Sequence, residues 1–197
     1  MNIRNLLSLA LMGLIISCLF SCGSHKNAGQ SDVDSLMIKY LALVDSVDAT
    51  WTVMIADDDE KHMLMKRLLL EVSYTNNYDK ARFEALNQKV EELRGFRYDQ
   101  KSMASSDLID AYDSATWALT DQIIEFARSH PRYTDFPLME ELIGDINAKN
   151  NYVLMHRIHY DSWVKQLNSF KKNNLDKLMD ADPDMKSQDM PLFQLAS

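Results

Sequence analysis

The chain reads as all-α: a long antiparallel four-helix bundle with a short extra C-terminal helix. Glycine and proline are scarce, with only Gly95 and Gly144 beyond the N-terminal region and prolines only at 131, 137, 183 and 191. Sheet proteins need many tight turns, and turns draw on those residues. Apolar residues recur at steps of three and four over long stretches, which lines one face of a helix. The connections between those stretches are short, so successive helices are expected to run antiparallel.

The first 22 residues have three parts. Met1 to Asn5 carries one positive charge, Leu6 to Phe20 is almost wholly apolar, and Ser21 to Ser24 is small and polar. This is the layout of a secretory leader, and its apolar run is shorter than the roughly 20 residues a spanning helix needs. Leu19-Phe20-Ser21-Cys22 resembles the bacterial lipobox. In that family the cysteine thiol receives a diacylglycerol, the leader is removed before it, and the new amino group is acylated, as with palmitate. Ile15-Ile16-Ser17-Cys18 fits the same pattern. Cleavage before Cys18 would leave Leu19 and Phe20 in a polar tether, so Cys22 is the preferred lipidation site and Cys18 the alternative. Once Cys18 leaves with the leader, no thiol pair remains for a disulfide or a thiolate metal site. Two or more acyl chains make such an attachment stable without a membrane-binding surface on the domain.

The expected organisation is a signal peptide over 1–21, lipidated Cys22 and a flexible tether over 22–31, a helical domain over 32–180 and a loosely ordered tail over 181–197. Removing Arg4 with the leader leaves 20 basic against 29 acidic residues, a net −9. An acidic chain with no basic run longer than Lys171-Lys172 is a poor partner for nucleic acid or anionic headgroups.

Ser31 or Asp32 is placed to cap the first helix, whose stripe is Val33, Met37, Tyr40, Val44, Val47, Trp51 and Met54. Asp57-Asp58-Asp59-Glu60 follows, as a calcium loop, a break, or a solvated stretch of continuing helix. A calcium loop of the EF-hand type needs spaced oxygens and a central glycine, absent here. The apolar pattern resumes at Met65, Leu68, Leu69 and Val72, which favours a continuous or kinked helix. Tyr74 to Asn77 reads as a turn. A second helix over 78–94 presents Phe83, Leu86, Val90 and Leu93 and stops at Gly95, a left-handed terminator. Ser105 or Ser106 caps a third, with Leu108, Tyr112, Ala115, Leu119, Ile123 and Phe126 inward, ending before His130-Pro131. Thr134 or Asp135 opens the longest helix, with Pro137 in its first turn. Its inner face is Leu138, Leu142, Ile146, Val153, Tyr160, Trp163, Leu167 and Phe170, and Asn173-Asn174 ends it. Leu175 to Met179 adds a helical turn. Tyr74, Tyr78, Phe96 and Tyr98 sit in or near connections, where they cover the ends of the core.

The segment Arg157-Ile158-His159-Tyr160-Asp161-Ser162-Trp163-Val164-Lys165-Gln166-Leu167-Asn168 resembles the LemA family pattern of Arg, Tyr-Asn, Val and Tyr-Asn at these spacings. Asn151 falls where that family has a Glu-Asn pair, Ala127 to Pro131 resembles its Tyr-Pro helix end, and Val47-Asp48-Ala49-Thr50-Trp51 its Val-Asp-x-x-Trp. Phe170, Asn173 and Asn174 resemble its Phe-Pro-Asn-Asn, with lysine for proline. Asn150, Asp161 and Leu167 depart from the pattern, and the family's Asp-Leu-Ile-Pro has no clear copy near Met63 to Lys66. The motif positions carried over are Trp51, Pro131, Asn151, Arg157, Tyr160, Val164 and Asn168. The resemblance implies a membrane-tethered bundle of long helices outside the cytoplasm, and brings no catalytic residues.

His156 and His159 lie three apart on one helix, close enough to share a metal. A zinc site needs further ligands at fixed spacing, so a satisfied or surface histidine pair is the default. The methionines, including Met37, Met54, Met65 and Met139, suit core filling, and no Cys-x-x-Cys-His is present for haem attachment. Gly-x-Ser-x-Gly, phosphate loops and dinucleotide turns are all missing; Glu140 and Glu141 complement a helix dipole. The expectation is an exported, lipid-anchored protein of the bacterial cell envelope without cofactor, a non-enzymatic scaffold or interaction module that meets another envelope protein. The alternative is a metal-, haem- or small-molecule-binding helical bundle.

Overall fold

The computed structural model describes residues 28–193 and is all-helical, with no strand among the described residues. Among the described residues four helices follow one another: α1 (Ala28–Ser73), α2 (Lys80–Gly95), α3 (Ser106–Arg128) and α4 (Leu138–Ala181). Short 3-10 turns at Ser102–Ala104 and Tyr133–Asp135 sit in the connections. The leader, Cys18 and Cys22 lie outside the described residues. None of the described helices is long and apolar enough to cross a membrane.

Helix α1 spans 46 residues, about 69 Å at 1.5 Å per residue. It begins at Ala28, so residues 28–31, expected as tether, are helical. It also runs through Asp57-Asp58-Asp59-Glu60 unbroken. Only part of this stretch is solvated: the Glu60 side chain is half exposed, whereas Asp58 is 3% exposed, and each of the four is ion-paired.

The first turn of α2 is capped by Asp79, whose carboxylate accepts from the Arg82 N–H at 3.0 Å. Gly95 is the last residue of α2 rather than a left-handed terminator, since no described glycine has a positive φ. The left-handed residue is Asn76, φ 61°, in the turn after α1, and asparagine tolerates that region better than most side chains. Buried His130 braces this turn: its Nε2 lies 2.7 Å from the Asn77 carbonyl oxygen and 3.0 Å from the Thr75 hydroxyl. Its Nδ1 accepts from the Arg132 N–H.

In α3 the inward position falls to Ile109, while Leu108 is exposed. Pro137 sits at the N-cap of α4, where its missing N–H costs nothing. The expected end at Asn173-Asn174 is a kink, with Asn174 at φ −130°, ψ 15°, and the expected extra C-terminal helix is the same helix continuing to Ala181.

Helices α1 and α4 pair along much of their length. Lys39 of α1 lies over the Phe170 ring of α4, and further along Asp57 meets His156 and then Lys149. The ion pairs and hydrogen bonds from α2 and α3 to α1 fall between Asp58 and Lys66. The stretch of the α1–α4 pair around Val47 and Trp51 is completed instead by Tyr98, from the α2–α3 connection, and by the chain after α4. That chain, expected as a loosely ordered tail, folds back along α4. Asn168 exchanges two hydrogen bonds with the Met190 backbone, Lys171 donates to the Gln188 carbonyl, and the Phe193 N–H donates to Asp161 at 2.9 Å. Phe193 is buried, stacked on Trp51 and edge-on to Tyr160 and Tyr98.

Candidate functional site: a polar layer and its cleft

The apolar stripe of α1 can be followed at steps of three and four from Val47 through Trp51, Met54, Met65, Leu68 and Val72, and the two missing members are Asp58 and Lys61. On α3 the equivalent interruption of the inward face is Thr116, and on α4 it is Arg157. All four are buried, with Lys61 at 4% and Arg157 at 8% exposure. They meet at one level and form a polar layer through the core.

Burying a charge costs several kcal/mol unless it is paired, and each charged side chain of the layer has an ion-pair partner, while the Thr116 hydroxyl is buried without a hydrogen-bond partner. Asp58 Oδ1 lies 2.9 Å from Lys61 Nζ. Its Oδ2 accepts from Tyr112 of α3 and from Arg97 at 3.1 Å. Burial raises the Asp58 carboxyl, but the Lys61 charge and the Tyr112 hydrogen bond outweigh it and hold the group below its ordinary value. Burial and the adjoining Asp58 push the Tyr112 phenol upward, so it stays protonated and donates. Arg157 grips Asp113 of α3 with two bonds of 2.6 Å and donates to the Tyr98 hydroxyl at 2.8 Å. Its guanidinium also lies over the Phe193 ring, 5.0 Å from the centroid. Burial moves the Tyr98 phenol up to about 12. Around the layer, Asp57 accepts from Lys149 at 2.6 Å and contacts His156 at 2.9 Å, and Lys149 also reaches Glu60 at 2.5 Å. Burial raises Asp57, but these two partners bring it below its usual range.

One side of the layer opens to solvent as a cleft of about 330 Å³ between α1, α3 and α4. Asp58, Lys61, Thr116 and Arg157 form its inner wall, while Asp113 and Trp117 of α3 face Asn150, Asn151 and Leu154 of α4 across its mouth. The Trp117 side chain is 61% exposed. Arg157 Nε is buried without a hydrogen-bond partner, although the other guanidinium nitrogens are engaged.

The residues singled out in the sequence are distributed unevenly around this layer. His156 is half-buried against Asp57, whereas His159 is exposed. Among the described residues no group of three or more His, Cys, Asp or Glu is placed to hold a metal. Arg157 belongs to the layer, and Trp51 and Tyr160 pack beside it through Phe193. Val164 is fully buried, Asn168 holds the returning tail, Asn151 stands at the cleft and Pro131 is exposed. Lys61, Asp113, Thr116 and Trp117 are the residues that sequence reasoning missed, and Asp58 was weighed only as part of an acidic run, not as a buried member of the core. The legible signal was the continuing period: charged residues stood where the stripe demanded apolar ones. No family model, curated protein or solved structure matches the chain.

Proposed function

We propose that this chain is a lipid-anchored lipoprotein of the bacterial cell envelope, LemA-like, whose antiparallel helical bundle is a non-enzymatic module for docking another envelope protein. The observation that carries the docking role is on α4. Its inner face packs in the core through Ile146, Val153, Tyr160 and Val164, yet its outer face carries Tyr152, Met155 and Ile158 at steps of three, each close to half exposed or more. A helix apolar on its solvent side as well as its core side marks an interaction face. The antiparallel arrangement is supported by the pairings of Lys39 with Phe170 and of Asp57 with His156 and Lys149. The anchor is supported by Leu19-Phe20-Ser21-Cys22 and the polar residues after it.

The test is crosslinking in intact bacteria with the anchor present, followed by mass spectrometry. The same protein is expected to be captured repeatedly by the wild type and lost from Met155→Glu/Ile158→Glu, a double variant whose exposed positions leave the core intact. Equal capture by both forms removes the α4 face from the account. The anchor has its own control: Cys22→Ala should persist as an uncleaved pro-form without added lipid mass, and normal maturation of that variant would rule Cys22 out.

A further inference from the structure

We propose that the cleft over the polar layer is a binding site for a neutral saccharide ring, with Trp117 as its stacking platform. The inference concerns the cleft, whose lining does not include Tyr152, Met155 or Ile158, and does not depend on the membrane tether.

Size comes first. At about 330 Å³ the cleft is within the range of small-molecule sites, and it is walled by three helices rather than by loops. Charge comes second. The walls carry Lys61 and Arg157 against Asp58 and Asp113, two cations against two carboxylates, already joined as pairs. A charged ligand would add an uncompensated charge beside this balanced set, and its desolvation would go unrewarded. A neutral one leaves the balance intact.

The hydrogen-bonding inventory then narrows the class. The cleft offers donors from the Lys61 ammonium and the side-chain amides of Asn150 and Asn151. It offers acceptors from the spare lone pairs of the Asp113 carboxylate and from the same amides. A ligand that both donates and accepts at closely spaced points satisfies such a wall, and vicinal ring hydroxyls do so. Planar carboxylate and amide groups can bridge two neighbouring hydroxyls, whereas a single amine or carbonyl ligand would leave most of these groups to water. The mouth supplies the remaining element. Trp117 lies one helical turn from Asp113 on α3 and keeps most of its indole in solvent, so its flat apolar face is open to a ligand at the cleft mouth. The C–H face of a sugar ring is apolar and flat enough to lie on it while its edge hydroxyls reach Asp113 and Asn151.

The experiment uses the full chain, purified in a detergent without a sugar headgroup. Glucose, galactose, N-acetylglucosamine and their disaccharides are titrated while heat and tryptophan emission are followed. At least one of them is expected to bind in the range of about 1 mM or tighter. Trp117→Ala and Asn151→Ala should each weaken it by about tenfold or more, with unchanged melting temperature because both side chains are exposed. Sodium benzoate and choline chloride serve as charged probes of similar size. Absence of binding by every saccharide, binding that survives Trp117→Ala, or binding of a charged probe in preference to the sugars overturns the proposal.

Discussion

His62 shows how a single buried residue sets a pH dependence. It is 4% exposed, its Nε2 lies 3.2 Å from the Tyr112 hydroxyl, and its Nδ1 has no hydrogen-bond partner. Burial lowers its pKa beneath the ordinary 6.5, with Asp58 and Asp59 pulling it up and Lys61 and Arg97 pushing it down. The unfolded chain therefore takes up a proton at a pH where the folded one does not, and stability falls as pH drops below about 6.5, by at most ~1.4 kcal/mol per unit. Asp161, raised by burial, works in the opposite sense, so the contrast with a variant is the informative quantity. In urea unfolding between pH 7 and 5, His62→Gln should lose less stability than the wild type; parallel curves would refute this. The Arg157–Asp113 pair predicts a different signature. Asp113→Ala leaves a buried guanidinium with only Tyr98 as hydrogen-bond partner and should cost about 3 kcal/mol, whereas adding Arg157→Met should restore much of that loss. Equal destabilisation of the single and double variants by urea would deny that the uncompensated charge is the cause. Arg157 was legible in the sequence as a motif position, but its role was not, because Asp113 sits 44 positions away on another helix and periodicity within one helix cannot name a partner.

At the scale of elements, the helices themselves were the most legible part, because each repeats its apolar positions many times and errors average out. Ends were read less well, since they hang on one or two side chains. Gly95 was expected to leave the helical region and does not, and Asn173-Asn174 was expected to stop α4 and only kinks it. The glycines make this testable. Neither Gly95 nor Gly144 has positive φ, and a Cβ placed on either meets no atom within 4 Å. Alanine therefore gains helix propensity without strain. Gly144→Ala, in the interior of α4, should add about 1 kcal/mol and raise the melting temperature by roughly 3 °C. Gly95→Ala should add less, because helix ends fray. A lower melting temperature for either variant would mean that the glycine serves a conformation other than the one described.

Over the whole molecule, the polar layer at Asp58, Thr116 and Arg157 interrupts one continuous apolar core and leaves two unlike halves of it. On one side α1 packs with all three other helices, and Met65, Leu68, Leu69 and Val72 are sealed with Ile123, Met139, Leu142 and Ile143. On the other, α1 has α4, Tyr98 and the returning tail as neighbours, and none of its described residues before Val47 is buried. Tail docking was not legible in the sequence. Prolines, acidic residues and scattered apolar ones suggest disorder when the groove they fill is unknown, and the groove is made by residues as distant as Trp51 and Asp161. Opening free energy follows the number of buried apolar contacts a segment holds, so the two halves of the core should open separately. In native-state hydrogen exchange, amides of 33–46 should open at the lowest free energy, and those of 65–72 and 139–146 only near global unfolding. Phe193 is the lever between them. It fills the space between Trp51, Tyr98, Tyr160 and the Arg157 guanidinium, and cutting it to alanine leaves a cavity beneath the tail at a cost of about 3 kcal/mol or more. If the halves open separately, Phe193→Ala, whose cavity is relieved in either opening, will speed exchange of all these amides by its full cost, whereas Leu68→Ala, a cavity in the far half, will speed the amides of 65–72 and change those around Val47–Met54 and Tyr160–Leu167 much less. A uniform acceleration by Leu68→Ala would instead mean that the polar layer couples the two halves into one cooperative unit.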